Sequence, residues 1–466
     1  MPLPTARPLV VDLDGTLCRT DTLWESFFAA WRVCWWLPFA AALWLLRGRQ
    51  LLKSKVAALA LPDVAHLPWN SAVLSALQAA RAQGRACVLA TAANERIAHA
   101  CAESLGGFDR VLASSETLNL KGAAKAQLLV QLYGAQGFDY IGDSRADLPV
   151  WAQAAHKISV TSVLPPEGER LSGTSSSHTL AAWAKELRVR HWVKNILVFV
   201  ALVAAHRWAY ASAWQAAALS FVAFCCVCSG VYIINDLFDL AADRAHPTKQ
   251  RRPLASGALS LAHASIVAGL LLVIGAAFAL WAGRSVAAVL GIYVAANALY
   301  TVALKRMPVV DVFCLAALYT LRIVAGAVAI AVPLSTWLVA FSVFVFLSLA
   351  LLKRAADLDR LPDEQTLAGR GYVGRDRVFV SALGVGAAIS ACLVLMLYIA
   401  SEQVAAMYAK PLWLWGVSVI VLFWLSRLWR LAMLGQMNDD PIFFATGDGV
   451  SWGCAALALG CVALAV

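Results

Sequence analysis

Asn235-Asp236-Leu237-Phe238-Asp239-Leu240-Ala241-Ala242-Asp243-Arg244 follows directly on the apolar run from Phe221 to Ile234, so three carboxylates stand where a membrane helix would end. Asn235, Asp239 and Asp243 recur every fourth residue, a spacing that stacks them along one face of a helix and points Asp236 elsewhere. Such a row of anions repels itself. A hard divalent cation such as Mg2+, shared with the phosphate oxygens of a substrate, relieves the repulsion. Pro247 then stops the helix, and Lys249, Arg251 and Arg252 offer positive charge to phosphates.

The rest of the chain supports a membrane setting. Its 466 residues imply two domains. With 61% hydrophobic and only 14% charged residues, most of it must lie in lipid. The net charge of +10 suits anionic headgroups or phosphorylated substrates. It does not indicate nucleic acid, because the cations are scattered over loops between apolar spans. Of 11 cysteines, only Cys225, Cys226 and Cys228 cluster. They lie inside an apolar run with no second ligand pair, which reads as packing rather than zinc or a disulfide. No secretory signal is expected at the N-terminus.

From Trp192 onward, apolar runs recur at about 193–209, 212–234, 262–282, 285–304, 308–330, 334–352, 378–400, 411–431 and 448–466, which predicts nine transmembrane helices. Starting from the cytoplasmic side, that count puts the loops holding Arg244, Lys249, Arg252, Lys305, Lys353 and Arg354 all on one side, as the positive-inside rule requires. The expected location is therefore the inner (cytoplasmic) membrane, with the active sites and the soluble domain facing the cytoplasm. Asp311 and Arg322 fall inside the fifth span, where ionisable groups are costly and usually functional. About 16 Å apart along one helix, they cannot pair with each other.

The first third reads differently. Leu9-Val10-Val11 is a buried strand running into Asp12-Leu13-Asp14-Gly15-Thr16. A second strand, Ala86 to Ala90, ends in Thr91. Lys121 or Lys125 precedes or opens a helix, and Phe138 to Ile141 leads into Gly142-Asp143-Ser144-Arg145-Ala146-Asp147. Strands ending in polar loops, with helices between, predict a parallel α/β sheet with a site at the strands' C-terminal ends. A carboxylate nucleophile, a second carboxylate two residues on, a hydroxyl, a lysine and further aspartates for Mg2+ are what phosphoryl transfer to water needs.

The ordered set DxDGT, Thr, Lys and GDxxxD resembles the haloacid dehalogenase (HAD) phosphatase superfamily over about residues 8–160. That resemblance implies Asp12 as nucleophile, Asp14 as acid/base, and Thr91 with Lys125, which fits better than Lys121, on the phosphoryl group. The expected Mg2+ ligands are Asp12, Asp14, Asp143 and Asp147. A helical cap is expected as an insertion at about 20–85. Its run Trp24 to Leu46 is nearly long enough to span a bilayer, but one crossing would separate Asp12 from Thr91. A cap dipping into the interface, with Arg47, Arg49, Lys53 and Lys55 at the headgroups, fits better; a buried cap helix is the alternative. The expected boundaries are 1–160 for the phosphatase domain, 161–184 for a linker rich in Pro, Gly, Ser and Thr, and 185–466 for the membrane domain.

The NDxxDxxxD run resembles the first aspartate-rich motif of the UbiA superfamily of intramembrane prenyltransferases. With RVRHWVKNILVF (188–199), LKRMPVVDV (304–312), LRIVAGA (321–327), LLKRAADL (351–358) and NDDPIFFATGDGVS (438–451), it resembles the decaprenyl-phosphate phosphoribosyltransferase branch over about 185–455. The second UbiA motif, DxxxD, is only approximated by Asp357, Asp359 and Asp363. In the last loop, Asp448-Gly449-Val450 replaces the family's Asp-Arg. The resemblance implies transfer of 5-phosphoribosyl from phosphoribosyl pyrophosphate to a polyprenyl phosphate in the bilayer. Mg2+ would sit on Asn235, Asp239 and Asp243, with phosphates on Lys194, Arg244, Lys249, Arg252, Lys305, Arg322, Lys353 and Arg354. The HAD half would then remove the 5-phosphate. A homo-oligomer is compatible with the branch. The alternative is a UbiA-type prenyltransferase acting on an aromatic acceptor, with an unrelated or regulatory HAD domain.

Overall fold

A computed structural model describes residues 6–115, 118–171, 179–367, 369–437 and 440–466. Part of the expected linker (172–178) and Asp439 of the last loop lie outside the described residues. The chain forms two compact units, Met1–Arg190 with Ser229–Leu271, and His191–Cys228 with Leu272–Val466. The first therefore takes in the acidic stretch as well as the α/β domain, a division that the linker composition did not suggest.

The first unit is built on a six-stranded, wholly parallel sheet: β1 (Leu9–Val11), β2 (Cys87–Asn94), β3 (Arg110–Ser114), β4 (Asp139–Gly142), β5 (Lys157–Ser159) and β6 (Glu169–Arg170), in the order β3-β2-β1-β4-β5-β6. β2 and β3 are laid down to one side of β1, and β4, β5 and β6 to the other. The crevice where the order reverses therefore opens beyond the C-terminal ends of β1 and β4. The Asp12 N–H donates to the Ile141 carbonyl at 3.0 Å, which fixes the two strand ends together. Both faces are covered, so the strands read as continuous apolar runs. One face packs Leu9, Val11, Leu89 and Ile141 against Val73, Leu77 and Ile97, and the other packs Val10, Val88 and Tyr140 against Leu129 and Trp151.

The insertion between β1 and β2 holds three cap helices, Thr22–Trp31, Leu37–Leu46 and Arg49–Leu59, followed by Ser71–Ala82. The last buries Val73, Leu77 and Ala80 in the sheet core, so the insertion's cap is shorter than the expected 20–85. Asp21 caps the first cap helix by accepting from Leu23 N at 2.9 Å. That helix packs Phe28 against Ile233, Leu237, Leu240, Leu254 and Leu261. Its Glu25 takes a bidentate bond from Arg244, at 2.9 and 2.6 Å, with both side chains buried.

Seven helices are long and apolar enough to cross a membrane: Ala211–Phe238, Leu261–Ala282, Arg284–Val302, Val310–Ala329, Thr336–Leu358, Gly374–Ile399 and Pro411–Met433. Pro441–Gly447 and Gly449–Ala465, bent by 85°, make an eighth if counted as one span. The protein is thus a multi-pass membrane protein, but the expected nine continuous spans are not found among the described residues. The run 193–209 is the difference. It winds as a 3-10 helix over Val189–Phe199 and a short α-helix over Val200–Ala204. The polar pair near its start is held sideways, Lys194 by Asp440 at 2.8 Å and Asn195 by Arg322 at 2.9 Å, and Gly326 lets a neighbouring helix come against the Val198 carbonyl, where a Cβ would clash.

Glu25→Ala is expected to destabilise the protein by about 3–5 kcal/mol by leaving a buried guanidinium unpaired. Adding Arg244→Met should recover most of that loss. Thermal unfolding of the single and double variants in detergent measures both.

Candidate functional site

At the crevice between β1 and β4, Asp12, Asp143 and Asp147 bring one carboxylate oxygen each to within 4.8 Å of one another. Asp12 comes directly off β1 and Asp143 directly off β4. Asp147 is fixed by its own loop, its Oδ2 accepting from Asp143 N at 3.3 Å, Ser144 N at 3.2 Å and Ser144 Oγ at 3.3 Å. Gly15, at φ +76°, is the residue the turn requires, because a Cβ there would run into the Asp143 carboxylate.

Lys125, 3% exposed near the start of helix Ala123–Tyr133, resolves the choice between the two lysines. Its Nζ lies 3.0 Å from Asp12 Oδ1 and 3.5 Å from Asp147 Oδ1, whereas Lys121 is exposed. Lys125 also donates to Tyr140 Oη at 2.9 Å, and Tyr140 donates on to Asp147 Oδ1 at 2.7 Å. Tyr140 was not legible as a site residue, since it reads as one more apolar position in a buried strand. Thr91 is fully buried on β2, two residues past the register partner of Val11, and its Oγ1 accepts from Ala93 N at 2.9 Å.

Burial pushes the carboxyls of Asp12 and Asp143 upward. Asp12 is raised by desolvation against the pull of Lys125, and Asp143 is pushed up to about 8 by desolvation and by Asp12 and Asp147. Burial and then Asp21 push Asp14 up to about 7. For Lys125, burial works downward, but Asp12 and Asp147 outweigh it and hold the ammonium above its ordinary range. Three all-oxygen ligands with unmet negative charge fit a hard cation such as Mg2+. Asp14 departs from the expected ligand set. Its Oδ1 accepts from Thr22 N at 2.8 Å, and it stands outside the three-carboxylate group.

The acidic stretch is arranged differently from the single-face row. Helix Ala211–Phe238 ends, and Asp239 is the N-cap of a short helix, Leu240–Ala245. Asp239 is exposed, Asn235 half-buried and Asp243 buried. Asp243 Oδ2 takes a 2.6 Å bond from Arg252, whose same nitrogen reaches Asp236 Oδ1 at 2.9 Å. Asp236, expected to point elsewhere, thus joins Asp243 through Arg252, and it takes two further bonds from Arg188, at 2.8 and 3.0 Å. With Asp243 held by Arg252, the row does not present its three ligands together. Lys249, half-exposed, lies 3.9 Å from Asp243.

Three expected phosphate binders are already committed. Arg244 gives Nη1 and Nη2 to Glu25 and Nε to the Ala255 carbonyl at 2.9 Å, so each of its three nitrogens is engaged inside the fold. Its partner lies 219 residues away in sequence, which hides the pair from any local reading. In the second unit, buried Arg322 donates to Asn195 Oδ1 and Tyr293 Oη, both at 2.9 Å, and to the Leu318 carbonyl at 2.6 Å. Buried Arg354 meets Asp311 and Asp357, each at 2.9 Å, and Tyr372 donates to Asp311 at 2.6 Å. Asp311 and Arg322 therefore each find separate neighbours, as their spacing required. Lys194 lies 2.8 Å and Lys353 3.5 Å from Asp440, with Lys353 still half-exposed and Lys305 half-buried on the turn Leu304–Arg306.

Residues 196–446 match the UbiA prenyltransferase family and residues 9–151 match the haloacid dehalogenase-like hydrolases. The chain belongs to the UbiA prenyltransferase family, with a HAD-type hydrolase domain ahead of the membrane helices. It is 36% identical to the uncharacterized protein y4nM of Sinorhizobium fredii, over 97% of this chain and 89% of that one. It is 37% identical to the nodulation protein NoeC of Azorhizobium caulinodans, over 60% of this chain and 92% of that protein. It is also 38% identical to the decaprenyl-phosphate phosphoribosyltransferase of Mycolicibacterium smegmatis, over 37% of this chain and 56% of that enzyme.

Asp143 keeps its proton to about pH 8 in the folded chain against an ordinary value of 3.8, so the folded state binds more protons than the unfolded one between those limits. Stability of the chelated protein is expected to fall as pH rises from about 4 towards 8. Mg2+ should raise the melting temperature more at pH 8 than at pH 6. Asp143→Asn should flatten both trends in a thermal-unfolding series with and without Mg2+.

Proposed function

We propose that this chain is a bifunctional enzyme. Its UbiA part transfers 5-phosphoribosyl from phosphoribosyl pyrophosphate to a polyprenyl phosphate, and its HAD part removes the 5-phosphate to leave polyprenyl-phosphoryl-ribose. The observation that carries the reading is the Asp12–Lys125–Asp147 constellation with Asp143 beside it, a buried group suited to phosphomonoester hydrolysis on the same chain as a transferase domain whose relatives include phosphoribosyltransferases. Such a transferase makes a product that carries a phosphomonoester, which is the bond the other half is equipped to break.

In the HAD half, Asp12 Oδ attacks the phosphorus while Lys125, held between Asp12 and Asp147, neutralises charge on the phosphoryl oxygens. Asp14, with its raised pKa, gives its proton to the departing 5-oxygen of the ribose. It takes a proton back from the water that then cleaves the aspartyl phosphate. Asp12, Asp143 and Asp147 would hold Mg2+, which when bound neutralises charge on the transferring group.

For the transferase half, Lys249 and Arg252 are the cations proposed to meet the pyrophosphate of the donor. Arg252 turning to phosphate would free Asp243, and Asn235, Asp239 and Asp243 would then be available to Mg2+. Lys194 and Lys353, which share Asp440, are proposed for the lipid phosphate. The enzyme is assigned to the inner membrane with both activities on the cytoplasmic side.

Asp12→Asn should abolish release of inorganic phosphate while the transferase continues. Mass spectrometry of lipids formed from phosphoribosyl pyrophosphate and polyprenyl phosphate should show the ribosyl lipid with the native chain and the 5-phosphoribosyl lipid with the variant. The same lipid from both proteins would remove Asp12 from the reaction.

A further inference from the structure

The cap helix Leu37–Leu46, Leu-Pro-Phe-Ala-Ala-Ala-Leu-Trp-Leu-Leu, has no polar residue, yet only Leu37 and Ala41 are buried. A helix that is apolar all round belongs inside a core or in lipid. Here Trp35 is 77% exposed, Phe39 72% and Leu46 85%, with Leu43 exposed beside them. At ten residues, about 15 Å, the helix is half the length needed to cross a bilayer.

Its surroundings select one occupant. Between Glu25 and Asp63 the chain carries Arg32, Arg47, Arg49, Lys53 and Lys55 and no acidic residue. All but the half-buried Lys53 are exposed, and the pattern of apolar insertion ringed by cations matches an anionic lipid surface. The level is right as well. The Trp31 ring lies 4.8 Å, centroid to centroid, from that of Phe238, tilted by 54°; Phe238 is the last residue of a 28-residue helix. A helix of about 42 Å outruns a hydrocarbon core of about 30 Å, so its end lies among headgroups.

Behind this helix is a pocket of about 550 Å3 with two kinds of wall, Trp24, Phe27 and Leu45 on the apolar side and Arg49, Lys53 and Lys121 on the basic side. Lys53 Nζ also donates to the Ala92 carbonyl, next to Thr91, at 2.7 Å. Asp21, on the pocket wall, precedes Thr22, whose N–H holds Asp14. The pocket wall is therefore one residue removed from the backbone group that meets Asp14.

We propose that the cap docks on anionic lipid through Leu37–Leu46 and that the pocket behind it receives the phosphorylated headgroup of a bilayer-borne substrate, so the phosphatase works on a lipid rather than on a soluble phosphate. This rests on the phosphatase reading for the pocket, but not for the docking. With the full chain in nanodiscs containing about 30% phosphatidylglycerol, a benzophenone amino acid at position 39 or 43 should form lipid photoadducts, and one at exposed position 103 should not. Equal adduct yields at all three would overturn the docking. A Phe39→Glu/Leu43→Glu double variant should lose at least tenfold in hydrolysis of the 5-phosphoribosyl lipid and keep its rate on p-nitrophenyl phosphate. Equal loss on both substrates, or loss on neither, would overturn the pocket assignment. If the native chain hydrolysed neither substrate, the phosphatase reading and the pocket would fall together, and the photoadducts would still decide the docking.

Discussion

Taking a charge out of water costs several kcal/mol unless a counter-charge and hydrogen bonds meet it, and that constraint organises both units of this chain. In the first, Lys125 is buried only because Asp12 and Asp147 flank it, and their carboxyls stay close only because Lys125 lies between them. Arg244 is buried against Glu25, and Asp236 and Asp243 are buried against Arg252 and Arg188. In the second, Asp311 meets Arg354, Arg370 and Tyr372 in a setting where no charge could stand alone. The three-aspartate group of the HAD domain is the exception. It has more negative charge than one lysine balances, and the excess is what a bound cation would use.

The parallel sheet and the placing of Asp12, Asp143 and Asp147 at its strand ends were legible because strand-end motifs are local: a short apolar run followed by DxDGT or GDxxxD places its carboxylates without reference to the rest of the chain, whereas the order of the strands was not legible. The choice of Lys125 over Lys121 followed from where the helix starts, which sequence suggested and the ion pairs decide. The partners of Arg244 and Arg322 were hidden for a common reason. A cation beside an acidic motif looks like a phosphate ligand until its partner is known, and those partners, Glu25 and Asn195, are more than a hundred residues away. The segment 193–209 has enough apolar residues for a span, but a hydropathy pattern cannot register that Lys194 and Asn195 are claimed from the side.

The Glu25–Arg244 pair and the packing of Phe28 on Leu237 and Leu240 join the cap of the HAD-type domain to the acidic stretch of the UbiA part. Helix Thr22–Trp31 begins at the residue whose N–H holds Asp14 and ends against Phe238, so one element runs from the HAD site to the acidic stretch. A fusion held together only by a flexible linker would not need a buried ion pair of this kind. In this chain the α/β domain and the acidic stretch form one compact unit.

The central claim is that one polypeptide moves a phosphorylated pentose onto a lipid and then strips its phosphate. Phosphoribosyl pyrophosphate carrying 14C in the ribose and 32P only in the 5-phosphate, given to the purified chain with polyprenyl phosphate and Mg2+, follows both events in a single tube. The account predicts 14C in the organic phase and 32P as inorganic phosphate, in equal molar amounts at completion. A lipid that retained both labels, or 14C that never left the aqueous phase, would contradict it.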